Sequence, residues 1–516
     1  MRLDPDQLIQ PSSLHAQAVK PRAIVIGSGF GGLAAAVRLG ARGYRVMVLE
    51  KLDAPGGRAY VYRQDGFTFD AGPTIVTAPF LLEELWALCG RSLQDDIRLE
   101  PVSPYYRIRF DDGTYIDYSG DSQSMREQIA ALCAGDVQGY ESFMQVSEAI
   151  FKVGFEQLGH VPFSRWTDMV RVLPDLLRLG GHRSVYSLVS RYVKDERIRT
   201  MLSFHPLLVG GNPFATTSVY ALICFLERKW GVHFVMGGTG ELVKGLVGLI
   251  RGQGGELRCN AAVKQIVVNN GAACGVMLED GTQLAADIVV SNADSATTYK
   301  HLIAPQYRRR WTDERIEKSR YSMSLFVWYF GTRRKYDNVA HHTLVLGPRY
   351  RELLDDIFER KIVAKDCSLY LHRPTATDPS LAPRGCDAFY ALSPVPHLGS
   401  GSNWAELGPE YQAAVMRRLS ETVLPGLEDE IVTSRVLTPI DFQDRLSSFR
   451  GAAFGLEPVL TQSAWFRPHN ESEEVRYLYL VGAGTHPGAG LPGVLSSARV
   501  LDKVVPPAHV WGRANA

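Results

Sequence analysis

Three glycines and one acid pose the first chemical question. In "IVIGSGFGGLAAAV", Gly27, Gly29 and Gly32 follow a short apolar run in G-x-G-x-x-G spacing, and Glu50 ends the next apolar run, "RVMVLE", eighteen residues after Gly32. The spacing predicts a buried strand, a tight turn, a helix and a second buried strand, the size of one βαβ unit. The N-terminus of such a helix offers unpaired N–H groups and a partial positive charge, which suit a pyrophosphate. Gly27 permits the turn, Gly29 lets a phosphate approach the backbone, and Gly32 lets helix and strand pack closely. Glu50 then accepts hydrogen bonds from a ribose, so the constellation is a dinucleotide site.

Two further glycine clusters narrow the ligand. "EKLDAPGGR" puts Gly56, Gly57 and Arg58 directly behind Glu50, and far downstream "LYLVGAGTHPGAGLPGV", from Leu478, repeats the pattern of apolar run and glycine turn. The first segment resembles FAD proteins of the glutathione-reductase-like superfamily, in the branch that holds amine oxidases and carotenoid desaturases. An extended FAD needs one segment at its phosphates and a distant one near ribitol and the flavin ring. The helix after the second turn, expected near Val494, would place its N-terminal amides against negative charge on the reduced ring.

These segments, with "GFTFDAGPTIVT", "FHPLLVGGNPFATTSVYALI", "GGTGELVKGL" and "EPVLTQSAWFRPHN", resemble the bacterial-type phytoene desaturases from about Ala23 to about Ala498. The resemblance implies that Gly27, Gly29, Gly32, Glu50, Lys51, Gly57 and Arg58 hold the adenosine diphosphate portion. It places Val263 near the adenine by backbone contact, and Asn292, Gly484, Gly493 and Val494 around ribitol and flavin. The amine-oxidase branch often carries an acid where this chain has Thr485, and the loop has no cysteine for a covalent link. Both departures favour noncovalent FAD and a substrate that is not an amine. The implied reaction removes a hydride and a proton from phytoene in successive steps, giving neurosporene or lycopene, with a quinone or oxygen as final electron acceptor. A related carotenoid oxidoreductase or isomerase, a flavin amine oxidase and a nonenzymatic Rab-escort-like isoprenoid-binding protein are the alternatives.

Acid and base candidates lie between the glycine clusters. "SRWTDMVRVLPDLL" sets Asp168 and Arg171 three residues apart, on one helix face, among Trp166, Met169, Val170, Val172 and Leu173. His205 and His486 are rivals. From Trp166 to Val193, Leu, Val and Trp alternate with arginines in the manner of an interfacial helix on anionic lipid, broken by Pro174 and by Gly180 and Gly181. Peripheral membrane association of a cytoplasmic protein is therefore expected.

Composition sets the wider bounds. A chain of 516 residues exceeds the roughly 250 to 300 at which single cores stop growing, so two domains are expected. Lys plus Arg number 56 against 55 Asp plus Glu, so no overall field favours nucleic acid. Seven scattered cysteines, never in CxxC pairs, argue against disulfides and structural zinc, and no metal site is expected. No apolar run of 18 residues is available to span a bilayer.

The expected fold is α/β: a glutathione-reductase-like, FAD-binding Rossmann domain with an inserted sheet-plus-helix substrate domain, amine-oxidase-like. Residues 1–22 read as a flexible arm. The FAD domain takes 23–80, 231–299 and 466–516, and a substrate and membrane-binding domain takes 81–230 and 300–465. Asp65-Gly66, Asp112-Gly113 and Asp280-Gly281 mark antiparallel hairpins, Asp121 to Thr217 reads as mostly helical, and "SMSLFVWYFG" reads as a strand of a buried sheet.

Overall fold

The computed structural model describes residues 20–511; nearly all of the expected N-terminal arm lies outside the described residues. A five-stranded parallel sheet carries the strands Leu478–Leu480, Ile288–Ser291, Arg22–Ile26, Arg45–Leu49 and Glu256–Arg258 in that spatial order. Strands from both ends of the chain thus lie side by side. The link is Ile288–Ser291, which pairs Val290 with Val25 on one edge and with Tyr479 on the other. All four of its residues are buried, as a parallel strand covered on both faces requires.

Helices Phe30–Ala41, Thr239–Gly252 and Leu491–Val504 cover one face of this sheet, burying Leu33, Ala36, Leu246 and Leu495 in a single core. A three-stranded antiparallel sheet, Val263–Asn269, Ala272–Leu278 and Gln283–Ala285, covers the other. This is the glutathione-reductase-like arrangement expected from the sequence.

A second, seven-stranded sheet is mostly antiparallel, and Ser324–Thr332 is its longest fully buried strand. Its residues alternate between two cores, as a pleated strand must. Leu325, Val327 and Tyr329 face one, whereas Phe326, Trp328 and Phe330 face the helix Trp404–Thr422. The three Asp-Gly dipeptides all lie in turns between antiparallel strands, and at the first Asp65 and Gly66 both take positive φ, 53° and 83°, as a two-residue hairpin demands.

Two local expectations need correction. Pro174 does not break its helix, which runs from Trp166 to Arg178. The carbonyl that Pro174 leaves without a donor belongs to Val170, an exposed residue where solvent takes the place of the missing N–H. The helix of the second glycine turn starts at Leu491 rather than near Val494, because Pro492 sits in its first turn, where its fixed φ is already helical.

The terminal segments are tied by one buried amide. Asn470 Nδ2 donates to the carbonyls of Leu480, His486 and Ser497 at 3.3, 3.2 and 3.4 Å. Asn470→Leu keeps the branched heavy-atom skeleton and strands these acceptors. The expected loss is about 1–3 kcal/mol, read as a lower unfolding temperature that added FAD recovers only in part.

Candidate active site

The first glycine turn is shaped by what its neighbours exclude. Gly27 has φ +88°, and a Cβ on Gly32 would lie 2.1 Å from the Gly27 carbonyl oxygen, so helix and turn touch as a glycine there requires. Glu50 is buried beside the turn. Its Oε2 accepts from the Ser28 N–H at 2.9 Å and the Ser28 hydroxyl at 2.6 Å, and its Oε1 accepts from the Leu52 N–H at 3.0 Å. A carboxylate has about four acceptor positions, so one on Oε1 is left for a ligand hydroxyl.

The second cluster meets the first. The Gly56 N–H donates to the Ser28 carbonyl at 3.1 Å, and a Cβ on Gly57 would stand 3.3 Å from Gly29 Cα. Arg58 is half-buried and held in place: Nε donates to the Ala453 carbonyl at 2.7 Å and Nη2 to Ser448 Oγ at 2.9 Å. Burial lowers its pKa, an effect opposed by the nearby Asp294 carboxylate.

Asn292 joins the two ends of the chain. It follows the central strand, its N–H donates to the Ile26 carbonyl at 2.8 Å, and its side chain lies where a Cβ on Gly29, Gly31 or Gly482 would be. Gly493 and Val494 sit in the first turn of the helix Leu491–Val504, whose N-terminus opens on the same cavity as Gly29, Gly57, Arg58 and Asn292.

Other expected residues take supporting places. Lys51 is exposed and donates to the Asp444 carbonyl at 2.7 Å and Ser447 Oγ at 3.0 Å, bracing the loop that also holds Arg58. Val263 begins its strand just after Ala261, whose N–H donates to the Glu50 carbonyl at 2.8 Å. Gly484 packs on Ser295, one residue behind the cavity wall formed by Gly482 and Ala483.

The cavity measures about 510 Å³ and is walled mostly by aliphatic and aromatic side chains. Its far wall includes Leu344, Leu346, Leu353 and Leu354, and its roof includes Met169, Val172 and Leu176 of the helix Trp166–Arg178. The two carboxylates in the wall are already engaged. Glu227 Oε1 accepts from the Tyr106 hydroxyl at 2.6 Å and Oε2 lies 3.1 Å from His205 Nε2, while Asp441 Oδ2 caps Thr438. Burial works against a charge on His205, but Cys224 and Glu227 push its pKa up to about 10, so the pair is an internal salt bridge. His486 lines the cavity near the glycine turn, and burial pushes it down to about 4.

Asp168 and Arg171 need correction. They lie on the helix that roofs the cavity, but their side chains are not in its wall. Asp168 Oδ2 instead accepts from the Arg165 N–H at 3.1 Å as a helix cap, and Arg171 is exposed. The three-residue spacing is helical as expected, but the cavity-facing positions belong to Met169, Val172 and Leu176.

Sequence reasoning missed Thr74, Tyr370 and Tyr390, which form a polar patch in the apolar wall. Thr74 Oγ1 lies 2.9 Å from the Tyr390 hydroxyl and 3.3 Å from that of Tyr370. Thr74 falls inside the quoted "GFTFDAGPTIVT"; its place behind Gly72 and Pro73 was the available signal.

Glycine turns from opposite ends of the chain, one free carboxylate position at a strand end, and a helix N-terminus opening on a largely apolar cavity define a flavin-dependent oxidoreductase. Residues 30–500 match the family of flavin containing amine oxidoreductases. Within it the chain belongs to the phytoene desaturases. It is 50% identical over 479 residues to the lycopene-forming phytoene desaturase of Pseudescherichia vulneris, covering 93% of this chain and 97% of that one. It is 49% identical over 493 residues to the neurosporene-forming enzyme of Rhodobacter capsulatus, covering 94% of each. A solved structure of a redesigned putrescine oxidase shares the fold with a TM-score of 0.64 at 14% identity, over 96% of this chain and 99% of that one.

Two substitutions test the cofactor site. Gly32→Val drives its side chain into the Gly27 carbonyl, and protein with less than about a tenth of the normal flavin content is expected. Glu50→Gln keeps the shape but removes the charge, and a flavin Kd raised about tenfold, or about 1.4 kcal/mol, is expected from fluorescence titration.

Proposed function

We propose that the chain is an FAD-dependent phytoene desaturase that inserts successive double bonds to give neurosporene or lycopene. The observation that supports this most is that the glycine turns and the greasy cavity are one continuous space. Bound noncovalently, FAD supplies the two-electron acceptor for the hydride. Gly27, Gly29, Gly32, Glu50, Gly57 and Arg58 hold its adenosine diphosphate half, with Lys51 bracing the loop behind them and the backbone near Val263 alongside. Asn292, Gly493, Val494 and, from behind, Gly484 shape the flavin half. In this reading the cofactor domain is assembled from 23–80, 231–299 and 466–516, and the substrate domain from 81–230 and 300–465.

The chain's own contribution is position and dryness. Leucine, valine and phenylalanine walls keep water from a polyene on which positive charge develops, and the electron-rich Tyr370 and Tyr390 in that wall stabilise the charge. Of the two wall carboxylates, Glu227 is neutralised by its ion pair with His205 and Asp441 Oδ2 is held in a helix cap, so neither stands wholly free to receive an amine. That counts against an amine oxidase.

The roof helix supports delivery from a membrane. Trp166, Val170, Leu173 and Leu177 are 66, 53, 47 and 55% exposed at i, i+4, i+7 and i+11, a single apolar stripe facing outward. Met169, Val172 and Leu176 of the same helix face the cavity. Arg165, Arg171 and Arg178 are all exposed on it. An outward apolar stripe rimmed by arginines suits the surface of an anionic bilayer, from which a hydrocarbon would pass beneath the helix. Among the described residues no helix is long and apolar enough to cross a membrane. A membrane quinone or dioxygen finally removes the electrons.

Incubation with FAD, phytoene in anionic liposomes and a quinone is expected to give coloured neurosporene or lycopene; colourless, unchanged phytoene would contradict the reading. Changing Leu173 and Leu177 together to Glu is expected to cut cosedimentation with those liposomes at least about tenfold and to leave flavin content unchanged. Cosedimentation equal to the wild type would remove the membrane part of the reading.

A further inference from the structure

Behind the cavity wall lies a group of side chains that cofactor binding does not use. His341, His342 and His372 are all buried, and one ring nitrogen from each falls within 4.8 Å of the others. His342 and His372 stack with centroids 5.2 Å apart, and His341 packs on each at 4.5 and 4.9 Å. Among the described residues, His341 Nε2, His342 Nε2 and both nitrogens of His372 have no hydrogen-bond partner. Unpartnered buried nitrogens are costly, and three residues together make chance a poor explanation.

Each end of the cluster is connected. On the inner side, His342 Nδ1 lies 2.7 Å from the Tyr370 hydroxyl, and Tyr370 is in the cavity wall beside Thr74 and Tyr390. On the outer side, His341 Nδ1 lies 2.6 Å from Thr377 Oγ1, and Thr377 is partly exposed. The cluster therefore runs from the dry cavity to the protein surface.

We propose that Tyr370, His342, His372, His341 and Thr377 form a proton relay that carries the proton of each desaturation out of the cavity. This rests on the desaturase reading. When hydride leaves one carbon, the adjacent carbon loses a proton, and the electron pair of its C–H bond becomes the new double bond. The Tyr370 oxygen accepts that proton while its own passes to His342 Nδ1, so the phenol stays neutral and the charge moves to the imidazole. The proton then crosses to His372 and His341, over separations that a ring rotation or a single water closes, and leaves through Thr377. No electron moves along the path.

The charges around the cluster favour a proton over a metal ion. Its members are three imidazoles with no carboxylate among them, and the charge that acts on His341 is the Arg373 guanidinium, which is paired with Asp387 at 3.1 Å. A resident dication would add charge to a buried site that holds no carboxylate to compensate it. A passing proton adds one charge briefly. Burial supports the same direction, holding His341 near 3 and His342 and His372 far below the usual range, so each rests neutral and gives its proton up readily.

Two variants of the holoenzyme test the relay. His342→Gln keeps an acceptor for Tyr370 but cannot carry a proton, and Thr377→Val interrupts the outer end far from the substrate. In anaerobic single turnovers with phytoene, flavin bleaching and proton release to an indicator dye are followed together, in H2O and D2O. For wild type the two signals should coincide. For Thr377→Val the dye signal should lag bleaching by about tenfold, with a larger solvent isotope effect. For His342→Gln turnover should fall at least about tenfold with flavin content and phytoene Kd within about twofold of wild type. Wild-type kinetics and isotope effects in both variants, or one equivalent of zinc, copper or iron in wild type that His342→Gln loses, would overturn the relay alone. A wild-type enzyme that never converts phytoene would overturn the desaturase reading and the relay with it.

Discussion

The structure depends on parallel pairing around one central strand. Ile288–Ser291 hydrogen-bonds to Arg22–Ile26 on one side and to Leu478–Leu480 on the other, and Asn292 follows at the point where the glycine turns of both segments converge. Without that pairing, the first turn would be a phosphate site with nothing to hold the flavin ring, and the second a helix N-terminus with no ligand. Parallel strands need crossover connections, and here the crossovers carry the seven-stranded sheet and its helices. One topological constraint thus places the cofactor half and the apolar cavity against each other.

Much of the cofactor half was legible because its residues are fixed by short-range geometry. The Gly27 turn, the acid ending the next strand, and the apolar run before Gly482 each announce themselves within a few residues. The apolar cavity was less legible, because its wall is made of side chains from many remote elements. Tyr370 and Tyr390 sit on neighbouring antiparallel strands, and no local pattern says that both meet Thr74. Asp168 and Arg171 show the same limit from the other side. Their spacing was correctly helical, but which face of an amphipathic helix meets the cavity is decided by packing, and the inward face went to Met169, Val172 and Leu176.

The histidines illustrate a different gap. "HHT" and "LYLH" are ordinary strand text, and adjacent residues of a strand point to opposite faces. His341 precedes its strand, whereas His342 pairs with His372 across it, and only that register gathers all three rings. The result is a neutral, polarisable cluster next to an otherwise apolar chamber. In the proposed reaction a chamber that excludes water to protect a cationic intermediate also lacks solvent to take up the proton, so dryness itself creates the need for a path outward.

The central claim is that segments from both ends of the chain grip one flavin. Hydrogen exchange measured by mass spectrometry on the apoprotein and the FAD-bound protein tests it most directly. The account predicts that amides of 27–32, 56–58 and 482–494 gain protection together, at the same FAD concentration. Protection confined to the first two segments, with 482–494 exchanging as in the apoprotein, would contradict it.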